Sequence, residues 1–397
     1  INKLQGKNNI KKESWVFIFM EFELIINLIS CHNDSSILLT HQYKPKSVLF
    51  LYRNKDLDIL KSIEDYYTNL PCTFLKENID NKSIDELENL ILKYKKNNAL
   101  FNLTSENVLD VLIFYTLSLK NNICCKFLDI KNKQIINMSL DDITIKKENI
   151  YDLNVEEIIK SIGGSIAIDS ENSFNEEIIN KMTFIIANNL ETWEKYRVRL
   201  TDSNLFIHNP FNPEMLEINT TCLNNDEIIL INKCIHFLEV NNQITYTQKG
   251  DCIEIKFLNE YIKGFIFKSG TWFEIFTKLI IKEIKNIDDV KSGVVFFWSK
   301  EKENVKNELD VVAVKDSVLI CISCKDSKKY DEVALNELNI YANQLGGANV
   351  KKILVATMEP SKSIVINRAK EMGISIVVYN GNRNKFKNDL QNIICKQ

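Results

Sequence analysis

The chain is 397 residues long, 45% hydrophobic and 26% charged, which suits two or three ordinary cores and excludes a disordered chain. Fifty basic residues against 53 acidic ones leave a net charge of −3; this excludes a binder that coats nucleic acid by bulk charge, while a local basic groove stays open to it. Ten irregularly spaced cysteines in so long a chain exclude a disulfide scaffold and read as free thiols in a reducing cytoplasm.

Residues 1–19 read as an extension ahead of the fold. The apolar stretch 15–30 is broken by Glu21 and Glu23, so no membrane-crossing helix is expected there. FELIINLIS (22–30) is a continuous apolar run of the kind that forms a buried parallel strand, followed by the polar loop CHNDSS (31–36). SVLFLY (47–52) predicts a second strand and 55–67 a helix. KNNALFNLTS (96–105) predicts a strand ending in a polar loop. VLDVLIFYTLSLKNN (108–122) has helical spacing, and ICCKFLDI (123–130) is another strand before a hairpin turn at KNKQ. This alternation predicts an α/β domain with a mostly parallel sheet over 20–150. A middle module over 151–258 opens with a helix at 154–164. It closes with a helix at 224–244 and a hairpin turning at Lys249-Gly250-Asp251, an arrangement compatible with a winged-helix-like fold. The block 259–397 predicts a helix from Thr271 to Glu283 and strands at 293–299, 308–315 and 317–325. A helix over 331–345 stopped by Gly346-Gly347, a strand 351–357, a helix 362–372 and a strand 374–380 follow.

The chemistry concentrates in that last block. If 308–315 and 317–325 form a hairpin turning at Lys315-Asp316-Ser317, opposite residues sum to 632–634. Asp310 then faces Ser323 and Glu308 faces Lys325, all on one side. Two carboxylates, a hydroxyl and an ammonium group on one patch suit phosphodiester hydrolysis. Carboxylates hold Mg²⁺ or Mn²⁺, and a lysine orients water and stabilises the charged transition state. Glu274, in the first turn of the preceding helix, is a further carboxylate. Blander readings stand beside these: Glu308 and Lys325 as a cross-strand ion pair, and Glu274 as a complement to the helix dipole. Asp310 resists such a reading, because a carboxylate among Leu309, Val311 and Val312 is costly unless exposed or paired. Cys321 and Cys324 form a CxxC within one strand. They are expected on opposite faces, which argues against a zinc or redox pair.

ELDVV (308–312) followed by ISCK (322–325) resembles the catalytic core of the PD-(D/E)xK restriction-endonuclease-like nucleases. GTWFE (270–274) resembles the G-x-W-x-E helix start of one branch, the Card1/Can2-like enzymes that carry an N-terminal CARF domain and accompany type III CRISPR systems. The resemblance covers about 265–380. It implies Lys325, Asp310, Glu308 and Ser323 as the catalytic set. Ser323 stands where the motif has its middle carboxylate, which shifts the metal onto Glu274, Asp310 and the Cys324 carbonyl. Related nucleases place a polar residue near substrate on the following helix; here that is Gln344, close to Tyr341, unless it is only a solvated helix end.

The same resemblance implies a Rossmann-like CARF domain, binding cyclic tetra-adenylate across the two-fold axis of a homodimer. Ligands of such sheets lie beyond the C-terminal strand ends. That points to Ser30, His32, Asn33, Asp34 and Ser35 after the first strand, and to Thr104, Ser105 and Asn107 after the strand at 96–105. The stretch 102–107 resembles the family's N-x-T-G-G-T, without the glycines and with Glu106 added; Thr104 or Ser105 is equally suited to capping the next helix. Arg53, after the second strand, is a further phosphate candidate. The reading is a cytoplasmic nuclease, switched by a cyclic oligoadenylate and acting on DNA or RNA with Mn²⁺ or Mg²⁺. Two others stay open: a restriction-like nuclease without a nucleotide switch, and a non-catalytic nucleotide sensor that binds DNA.

Overall fold

The computed structural model describes residues 21–168, 176–268, 270–298, 306–328 and 330–396; the expected extension 1–19 lies outside them. Two units form, one from residues 21–151 with 160–163 and one from 152–159 with the chain from 164 onward.

In the first unit the chain runs through β1 (Leu24–Leu28), α1 (Asp34–Tyr43), β2 (Ser47–Tyr52), α2 (Leu57–Tyr67), β3 (Thr73–Asn78), α3 (Ile84–Tyr94), β4 (Ala99–Asn102), α4 (Val108–Lys120), β5 (Cys124–Asp129), β6 (Gln134–Met138) and β7 (Ile143–Lys147). The sheet order is β3-β2-β1-β4-β5-β6-β7. The first five strands pair in parallel and β6 and β7 antiparallel, as the hairpin signal at KNKQ requires. β1 is buried along its whole length, which explains its unbroken apolar run. The chain moves outward from β1 to β3 and then returns to β4. The C-terminal ends of β1 and β4 are therefore the point where strand order reverses.

Helix α1 begins at Asp34, inside the stretch expected to be loop. Ser35 through Thr40 are all buried, so the segment has no polar face and its sequence shows no helical period. β3 and α3 also exceed the expected elements. β3 is an edge strand with little buried surface, and α3 is announced only by its capping box at Ser83 and Glu86.

The second unit contains β8 (Ser165–Ile168), α6 (Glu176–Asn188), α7 (Leu190–Tyr196), β9 (Phe206–His208), β10 (Met215–Asn219), α8 (Asn225–Val240), β11 (Ile244–Lys249), β12 (Cys252–Phe257), α9 (Glu260–Phe267), α10 (Thr271–Lys282), β13 (Asp289–Phe297), β14 (Asn307–Lys315), β15 (Val318–Lys325), α11 (Glu332–Gly346), β16 (Lys351–Ala356), α12 (Ser363–Glu371), β17 (Ile374–Val378) and α13 (Arg383–Cys395); the short helix α5 (Val155–Ser161) precedes β8. The hairpin β11–β12 turns at Gly250 (φ +58°) as expected. It belongs to a four-stranded antiparallel sheet, β11-β12-β10-β9. A second sheet has the order β17-β16-β15-β14-β13-β8, with β15, β16 and β17 parallel.

One core runs from Ile178 to Ile394 through both sheets. Its centre is aromatic: Phe276 of α10 packs on Tyr379 at 4.7 Å and on Phe386 of α13 at 5.8 Å between ring centroids. Helix α13, absent from the expected elements, closes this core with Phe386, Leu390 and Ile394 at a spacing of four. The expected strand at 293–299 starts earlier, at Asp289, and Ser299 lies outside the described residues. Cys321 and Cys324 are buried free thiols. Among the described residues no helix is long and apolar enough to cross a membrane.

Candidate active site

The β14–β15 hairpin turns on Asp316 and Ser317, both left-handed with φ of 55° and 60°. A two-residue turn of that kind matches the right-handed strand twist and sets the register from Lys315 opposite Val318 to Val311 opposite Ile322. Each pair sums to 633, within the expected range. One step further the ladder gives way to side chains. Asp310 Oδ2 accepts the Cys324 backbone N–H at 2.7 Å and the Ser323 hydroxyl at 3.2 Å. Those bonds are what allow a carboxylate to lie between buried Leu309 and Val311.

Lys325 ends β15. It stays in parallel register with Ala356 of β16, and its Nζ lies 3.8 Å from Asp310 Oδ2. The expected Glu308–Lys325 pairing is resolved differently: Glu308 is half exposed and faces Lys268, with Nζ 4.0 Å from Oε1. Lys268 went unseen in the sequence; its only signal is a basic residue just ahead of the Gly270 turn.

Glu274 reaches the same place from α10. Gly270 precedes the helix with φ +104°, and its carbonyl accepts the N–H of Phe273 and Glu274. Among the described residues nothing lies within 4 Å of where its Cβ would be, so it is the positive φ that favours glycine here. Gly270→Ala is expected to cost about 1–2 kcal/mol, seen as a lower midpoint in thermal melts. Burial first, and then Asp310 and Glu308, push the Glu274 carboxyl up, with Lys268 and Lys325 opposing them, to about 7 in all. The five groups therefore form a single electrostatic cluster.

Glu274 and Asp310 form a donor pair that fits a hard divalent cation, since a cation would relieve the repulsion between them. Among the described residues no three His, Cys, Asp or Glu side chains are arranged to hold a metal ion. An ion here would take its remaining ligands from backbone oxygen and water.

Gln344 does not join the site. Its side chain is exposed near the end of α11, two residues before Gly346, whose Cβ would meet Leu319 at 3.1 Å. Leu319 is the second residue of β15, six residues before Lys325, which separates them by about 20 Å at 3.3 Å per residue. The helix runs back along the strand, so its far end is remote from the chemistry.

In the first unit the two predicted loops meet at the ends of β1 and β4. Ser35 Oγ donates to Thr104 O at 3.1 Å, and Asn107 Nδ2 to Ile29 O at 2.8 Å. His32 Nδ1 lies 2.8 Å from Glu106 Oε1, a contact that holds the Glu106 carboxyl below its usual range against burial. Asp34 starts α1 beside them, its carboxyl pushed up by burial. Many of the predicted ligand groups are engaged in the fold itself. Asn33 donates to Ser30 O and Ser161 O, Ser30 Oγ to His32 O, and Thr104 Oγ1 accepts from Leu128 N. Ser105 Oγ accepts from Asn107 N. The expected side-chain cap on α4 is not formed. Arg53 is gripped by Asp110 through two bonds of 3.1 and 2.6 Å and by Asp80 at 3.3 Å. A guanidinium held by two carboxylates is a weaker phosphate ligand than its sequence position implied.

Residues 262–396 match the family model described as Card1-like, endonuclease domain. No curated protein matches the chain in sequence. Among solved structures, Can2 from Sulfobacillus thermosulfidooxidans, in complex with cyclic tetra-adenylate, is similar at 16% identity and a TM-score of 0.68, over 94% of this chain and 99% of that one. A protein from Vibrio cholerae is similar at 16% identity and a TM-score of 0.69, over 93% and 97%. A type III CRISPR defence DNA nuclease activated by cyclic oligoadenylate matches at 12% identity and a TM-score of 0.55, over 94% of this chain and 52% of its own. At these identities the structures establish a shared fold.

Proposed function

From a C-terminal segment that matches the Card1-like endonuclease domain, we propose that the protein is a metal-dependent nuclease activated by cyclic oligoadenylate, cyclic tetra-adenylate foremost, in type III CRISPR antiviral defence. The observation that carries this reading is the convergence of Glu274, Asp310 and Lys325 at the end of β15. The division into a sensor over 20–150, a middle module over 151–258 and a nuclease over 259–397 belongs to the same proposal.

Glu274 and Asp310, with the Cys324 carbonyl, would hold the cation. A bound Mn²⁺ or Mg²⁺ supplies charge neutralisation at the scissile phosphate and a more acidic attacking water. Ser323 and the Cys324 amide donate to the Asp310 carboxylate and fix it in one orientation, a role that a second ionised carboxylate, which only accepts, could not take. Lys325 presents its ammonium to the phosphate oxygens, where charge builds during the reaction. Glu308 and Lys268 line the rim.

The sensor reading is supported by the meeting of both loops at the reversal point of the sheet and by the fold shared with the nucleotide-bound Can2. Ser30, His32, Asn33, Asp34, Ser35, Thr104, Ser105 and Asn107 frame that site. Val108, Leu109 and Leu112 stand exposed on α4 beside it, an apolar face suited to pairing two chains. A symmetric pair presents a two-fold pocket that a four-membered ring matches. Binding shifts the population toward the cutting-competent state.

The test is cleavage of labelled single-stranded DNA, RNA and supercoiled plasmid in Mn²⁺, with and without cyclic tetra-adenylate. Cutting that depends on both is expected. Full cutting without the nucleotide favours the unswitched nuclease, and tight DNA binding without cutting favours the non-catalytic sensor.

A further inference from the structure

Asp326 follows Lys325 directly, and its side chain is 3% exposed. A carboxylate buried that deeply needs its oxygens filled by donors. Oδ2 accepts from the indole N–H of Trp272 at 2.8 Å and of Trp193 at 2.9 Å. Oδ1 accepts from Thr357 Oγ1 at 3.0 Å and pairs with Arg197 Nη1 at 3.0 Å. Arg197 also donates to the Asp326 carbonyl. The two indoles meet edge to face, with ring centroids 6.1 Å apart.

The donors come from separate elements: Trp272 from the first turn of α10, Trp193 from α7, Arg197 from the turn after it, and Thr357 from the end of β16. Trp272 is two residues from Glu274, and Asp326 is one residue from Lys325. The Asp326–Trp272 bond therefore joins the two backbone segments that carry the acid and the ammonium group of the site. We propose that Asp326 is a positioning residue for cleavage. Through Trp272 it sets the spacing of Glu274 and Lys325, and through Trp193 and Arg197 it makes that spacing depend on segment 190–201. The inference rests on the nuclease reading above. Its physical weight is that a misplacement of about 1 Å between reacting groups can cost about 10²-fold in rate.

The experiment compares the full chain with Trp272→Phe, Asp326→Asn and Asp326→Ala in activated cleavage, measuring kcat and KM separately beside thermal melts. Trp272→Phe keeps an aromatic ring but loses the N–H and one ring of a buried indole, so its rate is read against its melt; kcat is expected to fall about 10-fold with KM within about twofold. Asp326→Ala strands two indoles and an arginine and is expected to lose about 10²-fold. Asp326→Asn, whose amide oxygen still accepts from an indole, recovers part of that. If Asp326→Ala fails to fold, the other two variants decide. The inference is overturned if Trp272→Phe and Asp326→Asn keep the wild-type kcat, raise KM alone, or lose rate only by the unfolded fraction seen in the melts. A wild type that does not cut sinks the nuclease reading and this inference with it. A wild type that cuts beside variants that cut equally well sinks this inference alone.

Discussion

Lys325→Ala is expected to lower activated cleavage by about 10²–10³-fold while leaving cyclic tetra-adenylate binding and the melting midpoint nearly unchanged. The chemical effect is large because the ammonium group faces charge that builds only in the transition state. The stability effect is small because Lys325 is one-third exposed and its pairing with Asp310 is long, at 3.8 Å; such pairs contribute about 0–1 kcal/mol. Lys325→Arg is expected to rescue little, since a planar fork does not present charge as a compact ammonium does. Single-turnover cleavage at saturating activator, beside a nucleotide titration, measures both halves. Normal cutting by Lys325→Ala would remove Lys325 from the site.

Glu274→Gln is expected to make the metal-free protein more stable and the enzyme inactive. The folded carboxyl is raised to about 7 by burial and by Asp310, from an ordinary value of 4.5. An acid raised on folding costs nothing below its unfolded value. Its penalty grows as pH climbs from 4.5 toward 7 and is complete above that. Wild-type stability in EDTA should therefore decline over that window, and Glu274→Gln should remove the decline. The gain at pH 8 is of order 2 kcal/mol, or about 5 °C in the midpoint. The same change takes a carboxylate from the cation site, so cleavage is expected to fall by at least about 10²-fold. A variant less stable than wild type in EDTA at pH 8 would show that the Glu274–Asp310 cluster carries no strain. Functional groups held at a cost to the fold are what a site built for an absent charge should contain.

Features governed by local rules were legible in the sequence. The period of two along 308–325, with turn residues at Asp316 and Ser317, was enough to bring Asp310, Ser323 and Lys325 together. Gly270, four residues before Glu274, marked the start of a helix. The alternation of apolar runs over 20–150 gave the parallel sheet, since its strands carry the burial signal in their own composition. Elements without such contrast went unseen: α1, buried through its middle, has no polar face, and β3 is an edge strand with no buried residue.

The tertiary structure alone decided which partners the polar side chains take, because those partners are far apart in the chain. Lys325 pairs with Asp310 and leaves Glu308 to Lys268. Arg53 is held by Asp110, 57 residues away. Gln344 lies at the far end of α11, beside the start of β15, because helix and strand run in opposite directions. Asp326 gathers Trp193, Arg197, Trp272 and Thr357 from separations of 31 to 133 residues. Periodicity and turn chemistry act over a few residues, whereas the donors that settle a buried carboxylate are chosen by whichever segments the packed core brings beside it.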